Sequence, residues 1–189
     1  MKIYVIRHGE SINNLKGLWT GWYDAPLTEK GILDAKKAGE FIKGVKFDKV
    51  YSSDLSRAIK TTQTALPNCE FETSHLLREI KLGSLENTPI KEMTAQQREI
   101  IKQQDGYTSF GGESYGNLKQ RILEFRDHLE QLPYENVAIF CHGGWLRNFL
   151  YLTLDTPSLG NKIICNNCTV GIFEFKNDTW SLHSWINLP

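Results

Sequence analysis

The stretch Lys2-Ile3-Tyr4-Val5-Ile6-Arg7-His8-Gly9-Glu10-Ser11 stands at the start of the chain and decides its fold class. Residues 2–6 form a short run of β-branched and aromatic side chains after one lysine, which is typical of a buried strand of a parallel sheet. The sequence turns polar at Arg7. Ligands of open parallel sheets bind beyond the carboxyl ends of the strands, so this change predicts a functional site directly after the first strand.

The rest of the chain alternates short apolar runs with longer amphipathic segments. Further strands are predicted at residues 48–52, 70–73, 136–141, 169–175 and 179–186. Helices are predicted at residues 55–66, 90–103, 114–132 and 145–154, and for about 15 residues from the capping residue Thr28. This alternation predicts a layered α/β fold with a mostly parallel central sheet. Because the 189 residues contain no repeat or linker, we predict one domain, residues 1–189.

The balance of charges argues against a general attraction to polyanions. The chain has 22 basic and 22 acidic side chains and a formal net charge of zero, so no global field recruits nucleic acid or an anionic membrane. The first apolar run ends at Arg7 and is too short for the apolar region of a signal peptide. No apolar run in the sequence is long enough to span a membrane. We therefore predict a cytoplasmic protein in which any preference for anions comes from a local cluster of positive charge.

The four cysteines lack the spacing of a metal or redox site. Cys165 and Cys168 form a lone Cys-x-x-Cys pair, without the second pair that a structural zinc site needs. The pair precedes a predicted strand rather than opening a helix, unlike thioredoxin-like motifs. We interpret the cysteines as reduced packing residues, and the Asn-x-Thr sequences at Asn167 and Asn177 as chance matches.

Positively charged or imidazole side chains follow three of the predicted strands. Arg7 and His8 follow the first strand, Arg57 lies shortly after the second, and His142 follows the strand at 136–141. Neighbouring parallel strands bring such ends to one edge of the sheet. The resulting cluster suits a dianion such as phosphate, because guanidinium groups match the geometry of its oxygens and stay charged.

A neutral imidazole in this cluster can act as a nucleophile toward phosphorus. One ring nitrogen must be free, while the N–H of the other is held by a backbone carbonyl or a carboxylate. We expect a tight turn at Gly9 to let the backbone approach the ring of His8. No Asp-rich metal-binding arrangement accompanies these residues, so we expect cationic side chains to stabilise the charge, without a metal or other cofactor.

A leaving alkoxide also needs a proton, and therefore a carboxylic acid near the site. The sequence offers Glu10, Asp54, Glu79 and Glu113 for this role, and spacing alone does not choose among them.

Several blocks, in order along almost the whole chain, resemble the histidine phosphatase superfamily, in its phosphoglycerate mutase-like group. They are Val5-Ile6-Arg7-His8-Gly9-Glu10-Ser11 with Asn14, Gly21-Trp22-Tyr23-Asp24-Ala25-Pro26-Leu27-Thr28 with Gly31, Ser52-Ser53-Asp54-Leu55-Ser56-Arg57-Ala58, Leu77-Arg78-Glu79-Ile80, Gly112-Glu113-Ser114 and His142-Gly143-Gly144. The resemblance implies a three-layer α/β/α fold with a mostly parallel central sheet.

The resemblance also implies roles for individual residues. His8 becomes the phosphorylated nucleophile and Glu79 the proton donor. The phosphate pocket is implied to consist of Arg7, Arg57 and His142, with contributions from Asn14 and from the backbone N–H of Gly143. Thr20 and Gly21 match positions that contact substrate in some members. The implied partner is a small phosphorylated metabolite.

One block departs from the family's pattern and bears on the type of reaction. The family often has Gly-x-Trp-Glu-Gly after the acid, whereas this chain has Gly83-Ser84-Leu85-Glu86-Asn87, so the pocket wall near Glu79 is expected to differ. The resembling mutases carry a longer, more basic segment between the acid and the next block. Here 33 residues separate Glu79 from Glu113, with no adjacent arginine pair. We therefore predict a metal-independent phosphatase, with a cofactor-dependent phosphoglycerate mutase as the alternative.

Two further hypotheses are weighed against this one. The stretch Gly112-Glu113-Ser114-Tyr115-Gly116 matches the Gly-x-Ser-x-Gly elbow of α/β-hydrolases, but no apolar run precedes it, as a strand–elbow–helix unit requires. A non-catalytic module that binds a phosphorylated ligand or a protein is the other hypothesis.

Trp19 and Trp22 are interpreted as covering their loop against the core rather than lining the mouth of the site.

Overall fold

The computed structural model describes residues 1–103, 105–158 and 162–188. In these residues one sheet contains six strands in the order β3-β2-β4-β1-β5-β6. Strands β1 to β4 are parallel, whereas β5 pairs antiparallel with β1, and β6 pairs antiparallel with β5. The strands are β1 (Lys2–Arg7), β2 (Lys49–Ser53), β3 (Glu72–Ser74), β4 (Asn136–Cys141), β5 (Val170–Lys176) and β6 (Thr179–Ile186). The prediction of a mostly parallel sheet is confirmed.

Helices cover both faces of the sheet. They are α1 (Ile12–Lys16), α2 (Glu29–Phe41), α3 (Ser56–Ala65), α4 (Ala95–Lys102), α5 (Tyr115–Glu130) and α6 (Gly143–Thr153). Along β1, Ile3 and Val5 join a core cluster with α5 and α6. Ile6 joins a second cluster with residues of α2 and α3, because alternate residues of a strand face opposite sides. This arrangement confirms the three-layer α/β/α fold. None of the described helices has the length and apolarity needed to cross a membrane.

Some element boundaries differ from the predictions for local reasons. The helix predicted at 90–103 is two elements, a 3-10 turn at Ile90–Glu92 and then α4, because Thr94 and Gln97 form a capping box that starts a new helix. Helix α1 was missed because it has only five residues. Helix α6 begins at Gly143, two residues before the predicted start at 145, since two glycines there indicated a loop.

The hydrolase-elbow hypothesis is wrong. Ser114 is the N-cap of α5, and its hydroxyl oxygen accepts a hydrogen bond from the amide of Asn117 at 3.1 Å. The element before it is a 3-10 helix, Gly106–Phe110, rather than a strand. A nucleophile elbow needs a strand immediately before the serine.

The strand order brings the three predicted strand ends together. β1 lies beside β4, with Arg7 paired to Cys141, and β4 lies beside β2, with Phe140 paired to Ser52. His8 and His142 therefore leave neighbouring strands at the same edge of the sheet.

Candidate active site

A cavity of about 330 Å³ opens at the carboxyl ends of β1, β2 and β4. Of the predicted site residues, it is lined by Arg7, His8, Asn14, Gly21, Arg57 and Glu79, together with Thr20. His142 and Gly143 lie beneath the lining. The His142 ring is completely buried, and its centroid is 5.1 Å from that of the His8 ring. Gly143 packs against Arg7, whose Nε would be 3.2 Å from a Cβ at that position.

His8 is held in one orientation by main-chain contacts. The Nδ1–H of its ring donates to the carbonyl oxygen of Gly9 at 2.7 Å, which leaves Nε2 without a proton. The main-chain oxygen of His8 accepts from the amide of Cys168 at 3.3 Å and from Nδ2 of Asn167 at 3.1 Å. The backbone at Gly9 thus approaches the ring, as expected. The absence of a Cβ at Gly9 also serves packing, because a Cβ there would collide with the main-chain oxygen of Gly31 in α2.

The electrostatic surroundings keep the imidazole of His8 neutral. Burial lowers its pKa well below the usual value, and the positive charges of Arg57 and Arg7 lower it further. Nε of Arg57 donates a hydrogen bond to the unprotonated Nε2 of His8 at 3.3 Å. A neutral imidazole whose free nitrogen faces a cationic cavity has the properties of a nucleophile for an anionic electrophile.

Arg57 is completely buried and is fixed by the loop that follows α1. Its Nη1 donates to the carbonyl oxygen of Tyr23 at 2.9 Å, and its Nη2 donates to that of Gly21 at 2.7 Å. Gly21 has a φ of 54°, a left-handed conformation that glycine adopts without strain. Burial lowers the pKa of Arg57 to about 10, so the guanidinium remains charged at neutral pH.

Two nitrogen atoms at this edge are buried without a hydrogen-bond partner in the described residues, Nε of Arg7 and Nδ1 of His142. The other ring nitrogen of His142 lies 2.8 Å from Oγ of Ser53. In the tautomer in which the hydroxyl of Ser53 donates to this nitrogen, the proton of the His142 ring is on Nδ1. Each unpaired buried donor costs about 1–3 kcal/mol.

Glu79 lies at the N-terminus of α6. Its Oε2 accepts from the amide of Gly144 at 2.9 Å, and its Oε1 accepts from the amides of Trp145 at 3.1 Å and Ile80 at 3.0 Å. The amino end of a helix favours negative charge, which explains this contact. The main-chain oxygen of Glu79 is also held, by Nε1 of Trp22 at 2.6 Å and by Nη2 of Arg121 at 3.0 Å.

The other three candidate acids are engaged elsewhere. Asp54 forms a bidentate pair with Arg78 at 2.7 and 2.6 Å, and this hydrogen bonding lowers the pKa of Asp54. Glu113 pairs with Arg121 at 2.7 and 3.0 Å. Glu10 accepts a hydrogen bond from the hydroxyl of Thr28 at 2.9 Å. Among the four acids, Glu79 is the one that lines the cavity.

Sequence patterns did not identify several residues that shape this site. Asn167, interpreted as part of a chance sequon, bonds the backbone of His8 and also Oδ1 of Asn14 at 3.1 Å. Arg121 resembles any arginine of an amphipathic helix until its contacts are seen. Tyr107 and Arg147 line the cavity from a 3-10 helix and from α6. A single sequence gives no signal for any of these four residues.

The predictions for Trp19 and Trp22, and for the block at 83–87 that differs from the family's pattern, are met only in part. Trp22 packs beneath the cations Arg78 and Lys81, at 4.6 and 5.5 Å from its ring centroid, as a loop-covering residue should. Trp19, however, lines the cavity, so its interpretation as a purely covering residue was wrong. In the block at 83–87, Leu85 is buried and does not line the cavity. The neighbouring Leu82 lines it instead.

The cysteines behave as packing residues. All four are free thiols, and Cys141, Cys165 and Cys168 are buried. Burial raises the pKa of Cys168 to about 12, which keeps that thiol protonated and unreactive at neutral pH. The carbonyl oxygen of Cys165 accepts a hydrogen bond from Nη1 of Arg7 at 2.5 Å, so the Cys-x-x-Cys loop supports the site through its backbone.

Comparison with known proteins shows the family to which the chain belongs. The family model of the histidine phosphatase superfamily (branch 1) matches residues 3–188. A curated relative from Yersinia pestis, "Probable phosphoglycerate mutase GpmB", is 28% identical over 98% of this chain and 90% of its own length.

Two solved structures have closely similar folds. YhfR of Bacillus stearothermophilus has a TM-score of 0.86 at 29% identity, over 96% of this chain and 95% of its own. A phosphoserine phosphatase of Entamoeba histolytica in complex with phosphoserine has a TM-score of 0.84 at 27% identity, over 97% of this chain and 95% of its own.

Proposed function

The chain belongs to the histidine phosphatase superfamily, branch 1, and on this premise we propose that it hydrolyses phosphomonoesters of small metabolites through a phosphohistidine on His8. The observation that carries the proposal is the state of His8, which has a neutral ring, its Nδ1–H bonded to Gly9 and its Nε2 facing the guanidinium of Arg57. The unpaired donors on Arg7 and His142 support a phosphoryl group as the occupant of this edge.

In the first half-reaction, Nε2 of His8 attacks phosphorus. A nitrogen–phosphorus bond forms, the bond from phosphorus to the ester oxygen breaks, and Glu79 transfers its proton to that oxygen as the alcohol leaves. The negative charge that develops on Glu79 is stabilised by the amides of Gly144 and Trp145, which already point at its two oxygens.

The phosphoryl oxygens are bound by Arg7, Arg57 and Nδ1 of His142 in this proposal. Asn14 and the amide of Gly143 complete the pocket. These donors are fixed before substrate arrives, which is how an enzyme stabilises transition-state charge without reorganisation. In the second half-reaction, Glu79 takes a proton from water, the hydroxyl attacks phosphorus, and the nitrogen–phosphorus bond breaks to release inorganic phosphate.

A mutase is the second candidate, because the Yersinia relative carries that name. Hydrolysis is favoured by the segment after Glu79, because none of its cations, Lys81, Lys91, Arg98 and Lys102, lines the cavity. Lys102 pairs with Glu99 at 2.6 Å, and Arg98 donates to the carbonyl oxygen of Ile90 at 3.2 Å. If 3-phosphoglycerate is converted to its 2-isomer faster than inorganic phosphate appears, the mutase is correct and the phosphatase is not.

The test measures release of phosphate from an aryl phosphate such as 4-nitrophenyl phosphate. We expect turnover by the wild type and by Ser114→Ala, and a loss of about 10³-fold or more in His8→Ala. EDTA should leave the rate unchanged, because the proposed cations are arginines. Loss of activity with EDTA contradicts the metal-independent mechanism. No turnover of any phosphomonoester, with intact phosphate binding, would support the non-catalytic binding module instead.

A further inference from the structure

Arg147 faces the cavity one helical turn beyond the phosphate edge. It lies three residues after Gly144 on α6, so both occupy the same face of the helix, and both line the cavity. Its side chain is half-buried. The chain has seven arginines, all within the described residues. The other six donate hydrogen bonds to protein groups, whereas Arg147 has none in the part of the chain that the structure describes.

Tyr107 also lines the cavity, from the 3-10 element Gly106–Phe110. Its hydroxyl has no hydrogen-bond partner among residues 1–103, 105–158 and 162–188. Burial and the negative charge of Glu79 raise the pKa of Tyr107, while the positive charge of Arg147 opposes the shift. The phenol therefore stays protonated, within electrostatic range of both residues. The guanidinium of Arg147 and the phenol of Tyr107 thus line the same cavity, and each can donate a hydrogen bond for which the described residues supply no acceptor.

Charge balance indicates what this donor set receives. Three arginines line the cavity, Arg7, Arg57 and Arg147, against one carboxylate, Glu79. During the first half-reaction Glu79 carries its proton, so a phosphoryl dianion leaves one positive charge uncompensated. A planar guanidinium matches a carboxylate with two parallel hydrogen bonds. A second phosphate would call for more than one cation, and only Arg147 is available there in the described structure.

The size and walls of the cavity limit the carbon skeleton between the two anionic groups. The volume of about 330 Å³ is at the small end of ligand sites. The lining also includes the apolar side chains Leu18, Ile80 and Leu82. A short carbon skeleton therefore suits this cavity.

We propose that Arg147 and Tyr107 form a subsite for a carboxylate of the substrate, so that the preferred substrate is a small phosphomonoester with a free carboxylate. The proposal rests on the proposed function, because it takes the phosphoryl group to lie at His8. It adds a specificity determinant on α6, outside the segment that follows Glu79.

The test compares two substrates that differ only in the carboxylate, O-phosphoserine and phosphoethanolamine. We expect the wild type to have a kcat/KM about 10–100-fold higher for O-phosphoserine, as charge-assisted hydrogen bonds of about 1.5–3 kcal/mol imply. Arg147→Met should reduce this ratio to within about threefold, and Tyr107→Phe should reduce it by about five-fold. Arg126→Met, a change of the same kind on the outer face of α5, should keep the full ratio.

The outcomes separate this proposal from the proposed function. Hydrolysis of both substrates without a preference, or a preference that survives in Arg147→Met, overturns the carboxylate subsite and leaves the phosphatase intact. If neither substrate nor an aryl phosphate is hydrolysed, the proposed function fails. Calorimetric binding of the two compounds then decides the subsite: tighter binding of O-phosphoserine that is lost in Arg147→Met supports it, and equal binding overturns it.

Discussion

Arg121 donates from Nη2 to the main-chain oxygen of Glu79 at 3.0 Å. The same guanidinium reaches the carbonyl oxygens of Leu76 and Arg78 at 2.9 and 2.5 Å, and pairs through two nitrogens with Glu113. Arg121 is only 8% exposed. A single buried side chain of α5 thus fixes the segment that carries the proposed proton donor. It positions Glu79 without contacting the cavity itself.

We predict that Arg121→Met lowers the free energy of unfolding by about 3–5 kcal/mol, because it leaves the Glu113 carboxylate buried and unpaired. Adding Glu113→Leu should restore part of that loss, since both charges are then removed. Denaturant titration of the single and double variants measures this. Arg126→Met removes a more exposed pair and should cost at most about 1 kcal/mol. Equal losses in the Arg121 and Arg126 variants would contradict a buried clamp.

The proton-donor role of Glu79 predicts an effect that depends on the leaving group. With an alkyl phosphate as substrate, Glu79→Gln should form the phosphoenzyme about 10²–10⁴-fold more slowly than the wild type, because the alkoxide has to leave without a proton. With 4-nitrophenyl phosphate, formation of the phosphoenzyme should slow far less, since the 4-nitrophenolate anion is stable. A burst of 4-nitrophenolate should then precede slow steady-state turnover, because the variant has no base to activate the water that hydrolyses the phosphoenzyme. Rapid-quench kinetics with both substrates measures this.

The matched control for this experiment is Glu10→Gln, a carboxylate outside the cavity that should keep both rates. Equal slowing of alkyl and aryl substrates in Glu79→Gln would refute the role of proton donor.

The buried histidines predict a loss of stability in acid. The pKa values of His8 and His142 are both well below the usual 6.5, chiefly through burial. Below pH about 6.5 the unfolded chain takes up protons at these positions and the folded chain does not, so stability falls with falling pH. Each histidine contributes at most about 1.4 kcal/mol per pH unit between pH 6.5 and 5.

Denaturant unfolding at several pH values, without phosphate, tests this. His8→Asn cannot titrate and should lose less stability than the wild type between pH 6.5 and 5. A variant whose pH profile parallels that of the wild type would show that His8 titrates alike in the folded and unfolded chains.

The sequence predicted the fold because its main determinants are local. The run at 3–6 is apolar on every residue and so indicates a strand buried on both faces, and Thr28 supplies a capping oxygen that α2 uses. The predicted meeting of His8, Arg57 and His142 followed from the rule that parallel strands end at one edge. Boundaries were less accurate where a contact distant in sequence decides them, as at Gly143, where Glu79 binds the amides that begin α6.

The supporting residues could not be predicted for the same physical reason. Arg121 and Glu79 are 42 residues apart, and Asn167 and His8 are 159 apart, so no periodicity links them. Arg147 occupies a helix whose apolar pattern predicts burial against the sheet. Its position at the cavity depends on where α6 begins, a boundary that the sequence placed two residues too late. Spacing also left Glu10, Asp54, Glu79 and Glu113 equivalent, whereas their partners in three dimensions distinguish them.

The most direct test of the central claim is to isolate the phosphorylated enzyme. The Glu79→Gln variant is mixed with 4-nitrophenyl phosphate, and the reaction is quenched in alkali because phosphohistidine is stable there. The protein is then digested and its peptides are analysed by mass spectrometry. We predict one phosphoryl group on His8 in the peptide that contains residues 7–11. The double variant His8→Ala/Glu79→Gln should carry none. Phosphoryl transfer to another residue, or hydrolysis by the wild type with an unmodified His8 under every quench condition, would contradict the account.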